Sequence, residues 1–229
     1  MRITACAVAA IAALSLGLLA SSAEGRSHKK PWVCRPGHAH LLVADTNAQV
    51  YETGYYYEGV FQPERIQGCV YGRKRQFVVG SPPSGSGSGG GGSSVEQMVG
   101  TLVAVASEAW STVTGFESNS VGVIDLRTGR YIRESFTGPP EPTSHTGYED
   151  YGAGPVASLV LRPNGDLAWI AETPTFRVTA AGRYQVYTLE ATGRRMIASG
   201  DDIEPDSLAL AVETIYWSRN GKPESAVLK

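Results

Sequence analysis

Cysteine, histidine and methionine are scarce in this chain, and none is spaced for chemistry. There is no C-x-x-C pair among Cys6, Cys34 and Cys69, and the four histidines supply no matching ligand set, which excludes a zinc site of ordinary spacing. A Gly-Lys-Ser/Thr phosphate loop is missing, and so is the G-x-S-x-G elbow that presents a serine nucleophile. Charge of one sign is missing too: the formal net charge of −2 argues against a nucleic-acid partner and against a polybasic membrane contact. A helical stripe is the last absence. The nearest candidate, residues 95–110, is apolar on too many faces and rich in β-branched side chains.

What is present begins with an export signal. Met1-Arg2 precedes an almost unbroken apolar run over 3–20, and Ser21-Ser22-Ala23 supplies small residues where a signal peptidase reads. Cleavage after Ala23 is expected, and it leaves 206 of the 229 residues. An uncleaved membrane anchor is the rival reading, since an 18-residue, largely apolar run sits at the lower edge of a bilayer span. After cleavage no transmembrane segment is expected and the product is secreted. Cys6 leaves with the signal, so Cys34 and Cys69 remain as an even pair, which in an exported chain reads as a disulfide.

Residues 24–33 are small, polar and basic and read as a disordered lead. One domain is expected over 34–229. Within it SPPSGSGSGGGGSS, residues 81–94, reads as a flexible Gly/Ser loop, and the Pro/Gly-rich stretch 138–155 as a long surface loop. Almost everything else reads as short β-strand punctuated by turns at Thr128-Gly129, Pro163-Asn164-Gly165, Thr192-Gly193 and Asn220-Gly221. The phrase SLVLRPNGDLAW, starting at Ser158, returns as SLALAVETIYW at Ser207, and Trp169 and Trp217 are 48 residues apart. A second hairpin, YQVYTLEATGRRMIASG, lies between the two copies and is echoed upstream by SVGVIDLRTGRYIRES and, more faintly, by GCVYGRKRQFVVG. A period near 48 containing four strands predicts an all-β, β-propeller-like chain of about four blades, each of four antiparallel strands, closed as a small propeller or left as an open arc. Leu159, Leu161, Leu167, Trp169 and Ala171 are expected to face one neighbouring blade, and Val160, Ala168 and Ile170 the other.

PNGDLAWIAE followed by YQVYTLEATGRRMIA resembles the repeat of TolB-type (WD-like) propellers, small secreted bacterial members included, and VGVIDLRTGRYIRES resembles its second half. The resemblance covers about two-thirds of the mature chain and rests on packing and turn motifs. It implies a fold and an exported location. It transfers no catalytic residue, because propellers host many unrelated functions.

The chemistry-bearing candidates are therefore few. Gly85, Gly87 and Gly90 satisfy G-x-G-x-x-G, but no helix follows, so no dinucleotide and no other cofactor is expected. His38 and His40 are half a metal site at best, and no metal is expected. Arg73-Lys74-Arg75 and Arg194-Arg195 read as solvated outer positions. Loop carboxylates Glu149 and Asp150, and Asp201 and Asp202, are the acidic pairs available for acid–base or ion chemistry. Tyr55, Tyr56 and Tyr57 are rings in a presumed loop, able to line a carbohydrate or peptide site or to pack over the first blade. With no catalytic constellation, the chain reads as a secreted, non-enzymatic binding or interaction module whose partner is a protein, peptide or carbohydrate at the cell surface. The alternatives are an extracytoplasmic propeller lyase or hydrolase using loop carboxylates, and an envelope-structural protein without ligand.

Overall fold

The computed structural model describes residues 34–86, 88–111, 113, 116–138, 154–173 and 182–229. The signal peptide and lead expected over 1–33 lie outside these residues, as do Glu149 and Asp150. Sixteen strands and no helix occur among the described residues. The first sheet contains β1 (His40–Ala44), β2 (Ala48–Tyr57), β3 (Val60–Val70) and β4 (Gln76–Gly80). The second contains β5 (Ser84–Ser86), β6 (Gly89–Val99), β7 (Leu102–Ser111), β8 (Phe116–Asp125) and β9 (Arg130–Phe136). The third contains β10 (Val156–Leu161), β11 (Leu167–Glu172), β12 (Tyr184–Glu190) and β13 (Gly193–Gly200), and the fourth β14 (Ala209–Ala211), β15 (Thr214–Arg219) and β16 (Lys222–Val227). Each sheet is an antiparallel meander in chain order, and none closes on itself. The chain is all-β, as the strand-rich sequence predicts. The uniform count of four strands per unit is not kept: the second sheet has five and the fourth three.

Alternation along the strands sets the packing. On β11, Leu167, Trp169 and Ala171 are buried against Leu102, Ala104, Val121 and Val123 of the second sheet. Ala168 and Ile170 point the other way, with Val160 and Val186, onto Ile203, Ile215, Trp217 and Leu228 of the fourth-sheet region. A strand covered on both faces needs apolar residues at every position, which is why LAWIA reads as a run rather than an alternation. The first seam is made by Ala48, Val50, Ile66 and Val79 against Val103, Val105, Ile124 and Leu126. Trp169 and Trp217 each sit on the strand after a meander's first and each pack into a seam with the preceding sheet.

The β1–β2, β6–β7, β10–β11 and β14–β15 turns are short and are tied from sheet to sheet. The Asp45 carboxylate accepts from the Gly100 amide at 2.6 Å, the Gln97 side-chain carbonyl accepts from the Leu161 amide at 2.6 Å, and Arg162 donates to the Leu228 carbonyl at 2.5 Å and to Glu213 at 3.0 Å. The amides of Gly100 and Thr46 hold the Asp45 carboxyl below its ordinary pKa. Burial alone would raise Asp125, but hydrogen bonds and charge from Arg127, with the Thr101 hydroxyl, outweigh it and hold that carboxyl low as well.

One of these turns is strained. Val212 has φ of 57° and is 90 % exposed, so a β-branched residue pays the left-handed steric cost with no packing to offset it. Val212→Asn is expected to stabilise the chain by about 1 kcal/mol; a denaturation midpoint that stays put or falls would contradict this reading of the turn.

The flexible loop expected over 81–94 is corrected. Its residues supply β5 and half of β6, paired to β7 through Gly90↔Trp110, Gly91↔Ala109 and Ser93↔Ser107. Glycine is there because neighbours come too close for a side chain: a Cβ on Gly91 would lie 2.4 Å from the Glu108 carbonyl oxygen, and one on Gly92 2.4 Å from the Pro83 Cα.

Candidate functional site

The second-to-third-strand hairpin of the first sheet runs well past the seam. Tyr55 pairs with Gln62, Tyr56 with Phe61 and Tyr57 with Val60, and the arm turns at Glu58-Gly59, with φ of 51° and 80°. Two successive positive φ values are the tight turn whose twist suits a hairpin, and glycine takes the second at no steric cost. The tyrosines are therefore not in a loop packed over the first sheet, as one sequence reading had it. They stand on a strand and are 54 %, 55 % and 60 % exposed.

Strand alternation divides the arm into two faces. Tyr56 shares a face with Phe61 and with His40 of β1. The His40 ring stacks on Phe61 with centroids 3.9 Å apart and planes 23° from parallel, Tyr56 lies 5.5 Å from Phe61, and the Tyr56 hydroxyl is 3.3 Å from His40 Nε2. Tyr55, Tyr57 and Val60 occupy the other face. The bulge opposite Thr53 and Gly54 lets the strands cross closely, since a Cβ on Gly54 would meet the Gln62 carbonyl oxygen. The result is a two-sided aromatic blade of backbone-paired chain. Its rings pre-pay their rotamer entropy, which suits recognition of a flat apolar or polyol surface. His40 and Phe61 are the members sequence reasoning missed, because cross-strand register is not visible in a linear motif. His38 lies in the turn before β1, so the two histidines do not share a strand.

The other candidates have structural employment. The Asp201 carboxylate accepts from the Arg183 amide at 2.6 Å. Asp202 pairs with Arg219 at 3.3 Å and accepts from the Asn220 side chain at 3.2 Å, bracing the entry to the fourth sheet. Arg194 is on β13, where it donates to the carbonyls of Phe136 and Gly138 and lies over the Tyr187 ring. The Cys34–Cys69 disulfide is present, with Cα atoms 6.2 Å apart. Glu96 and Glu108, unremarked in the sequence, line a cavity of about 140 Å³ between the second and third sheets with Ser94, Ala106, Thr137 and Val156. That is below the few hundred Å³ of an ordinary ligand pocket. Among the described residues no three of His, Cys, Asp and Glu are grouped to hold a metal ion, and no helix is long and apolar enough to cross a membrane. Compared with family models, curated proteins and solved structures, the chain finds no match in any of the three.

Proposed function

We propose that this chain is an exported, propeller-like binding module of the TolB-type repeat class, built as an open arc, which recognises a protein, peptide or carbohydrate at the cell surface through its aromatic arm. The observation that carries the reading is the exposure of Tyr55, Tyr56 and Tyr57 on a paired strand beyond the packed seam, where they contribute nothing to the core. Large rings left in water on a rigid element are recognition surface rather than scaffold. Three seams joining four sheets in sequence, each meander packed on the one before, support blades arranged as an arc. The disulfide supports an oxidising compartment.

The test is a thermal-shift and equilibrium-titration panel of neutral oligosaccharides, lysine-containing peptides and folded extracellular proteins. Saturable binding of one class without turnover is the expected result. Turnover of any member would move the reading to a lyase or hydrolase, and silence across the panel would favour an envelope-structural role; either overturns the proposal.

A further inference from the structure

The three seams use one face of the first sheet, both faces of the second and third, and one face of the fourth, so among the described residues two outer faces are left uncovered. On the fourth sheet, Ala209, Tyr216 and Ser225 form one cross-strand row and Ala211, Thr214 and Val227 the next, on the side away from Ile215 and Trp217. Tyr216 is 41 % and Val227 48 % exposed. These rows hold no charged side chain; Arg219, Lys222 and Glu224 all stand on the other side. On the first sheet, Leu41, Tyr51, Gln67 and Val78 form one row, with Gln49, Cys69 and Gln76 in the row beside it. Leu41 and Val78 are 46 % and 58 % exposed. Between them Cys34 lies over Tyr51 and Cys69 as a cap, its carbonyl accepting from the Tyr51 hydroxyl at 3.2 Å and from the Gln76 side chain at 2.8 Å.

The two outer faces suit each other as the buried pairs do. In the seams the turn ends of neighbouring sheets lie side by side, tied from Asp45 to Gly100, from Gln97 to Leu161 and from Arg162 to Leu228. Kept in that register, the rows of Thr214 and Tyr216 fall opposite those of Gln49 and Tyr51, and the small Ala209, Ala211, Thr214 and Ser225 leave room for the ridge that the Cys34 cap raises. Strand β15 has six residues against ten in β2, so Tyr55 and Tyr57 extend past it. Area then decides how many such contacts are needed. Three or four strands 4.8 Å apart and about 20 Å long present about 300–400 Å², so one face laid on another buries about 600–800 Å². That is below the roughly 1,000 Å² of a specific association, and two such contacts pass it.

We propose that two copies of this chain close head to tail into one ring, the outer face of each first sheet covering the outer face of the other's fourth sheet, with Tyr216 and Val227 of one copy against Leu41, Val78 and the Cys34 cap of the other. Such a contact joins unlike faces, so it either closes or runs on as a fibre. Two copies close it with two identical contacts and leave no outer face in water. Eight sheets result, within the range of blade numbers that propellers use. The ring rests on the arc arrangement of the proposed function and not on its ligand. The arm reaches past the end of β15 and stays open.

Sedimentation equilibrium of the chain beginning at Glu24 tests the ring without any ligand. A single species of twice the chain mass is expected at micromolar concentration. Y216E, on the fourth sheet, and L41E/V78E, on the first, are each expected to weaken association at least about a hundred-fold, since every ring carries the substitution in both contacts. All three side chains are exposed, so the far-ultraviolet circular dichroism of the variants should match that of the parent chain. M196E places the same charge on an exposed site outside both faces and is expected to stay dimeric. A chain that is monomeric throughout overturns the ring, and so does a mass that climbs past the dimer with concentration, the mark of an open fibre. Lost association in only one of Y216E and L41E/V78E would mean a face packed on its own copy, and lost association in M196E a contact elsewhere; either overturns the ring as well. None of these results bears on whether the arm binds an external ligand, which the titration panel decides separately.

Discussion

Replacing Trp169 by alanine is expected to cost about 3–5 kcal/mol, the range for deleting a large, fully buried aromatic that leaves a cavity. Trp169 is 0 % exposed in the seam between the second and third sheets. Its ring stacks on Tyr187 with centroids 5.3 Å apart, and its indole nitrogen donates to the Thr137 carbonyl at 2.9 Å. Shape, stacking and hydrogen bond are lost together. Against a total stability of about 5–15 kcal/mol for a domain, the variant should be marginal at room temperature. Trp217 occupies the seam between the third and fourth sheets, but its indole nitrogen finds no acceptor among the described residues, so its truncation should cost less.

The same pair has a signature at high pH. Burial pushes the Tyr187 hydroxyl up to about 12, because the anion cannot be hydrated in the seam. A pKa raised on folding adds stability that is complete below the unfolded value near 10 and is lost as pH rises through 12. In the Trp169→Ala chain water should reach the ring, and the ultraviolet titration of Tyr187 should fall back toward 10. Urea denaturation measures the loss directly. A cost below about 1.5 kcal/mol would mean that the seam collapses around the gap and is not the fitted interface described here.

The second large effect is expected from the disulfide. With its cysteines 35 positions apart in sequence, the Cys34–Cys69 bond restricts the unfolded chain enough to contribute about 3–4 kcal/mol on the chain-entropy model. It also holds in place the 34–39 segment, whose Cys34 carbonyl satisfies Tyr51 and Gln76 on the outer face of the first sheet. Cys34→Ser combined with Cys69→Ser should therefore lower the denaturation midpoint, and it should release the first sheet before the seam that holds Trp169. Tryptophan fluorescence, with Trp169 and Trp217 buried in the two seams of the third sheet, should report a later transition than near-ultraviolet circular dichroism of the tyrosine-rich first sheet. Loss of less than about 1 kcal/mol, with the two probes still coincident, would show that the cap holds without its bond.

The centre of the fold was readable because its strands are buried on both sides. Leu167, Trp169 and Ala171 go one way and Ala168 and Ile170 the other, as alternation predicts, and Pro163-Asn164-Gly165 and Thr192-Gly193 mark the turns between strands. Readability fails at the edges. Strand β1 begins on a histidine, His40, β16 contains Pro223, and β5 and β6 are written largely in glycine and serine. Composition reports intrinsic preference, whereas these segments are held by register with a partner: Gly91 is strand because Ala109 is opposite it. The site divides in the same way. Parity of cysteines pointed to Cys34 and Cys69, and ring density pointed to Tyr55, Tyr56 and Tyr57. That His40 and Phe61 complete a cluster with Tyr56 depends on strand pairing across three chains of residues, which a linear reading does not contain. Asp201 and Asp202 look like an acid pair in sequence, yet their oxygens are occupied by Arg183, Arg219 and Asn220.

On the proposed function, folding and recognition belong to different parts of the molecule: the seams hold the chain together, and the arm meets the ligand. The measurement that reaches this division most directly is the affinity of the chain carrying Tyr55→Ala, Tyr56→Ala and Tyr57→Ala for a ligand identified in the panel, taken beside its melting temperature. Affinity is expected to fall at least about ten-fold, as for aromatic anchors at an interface, while melting stays within about 2 °C because the rings are solvent-exposed and outside the seams. Unchanged affinity with an intact fold would place recognition elsewhere. A drop in melting large enough to account for the lost binding would make the tyrosines part of the core and contradict the division itself.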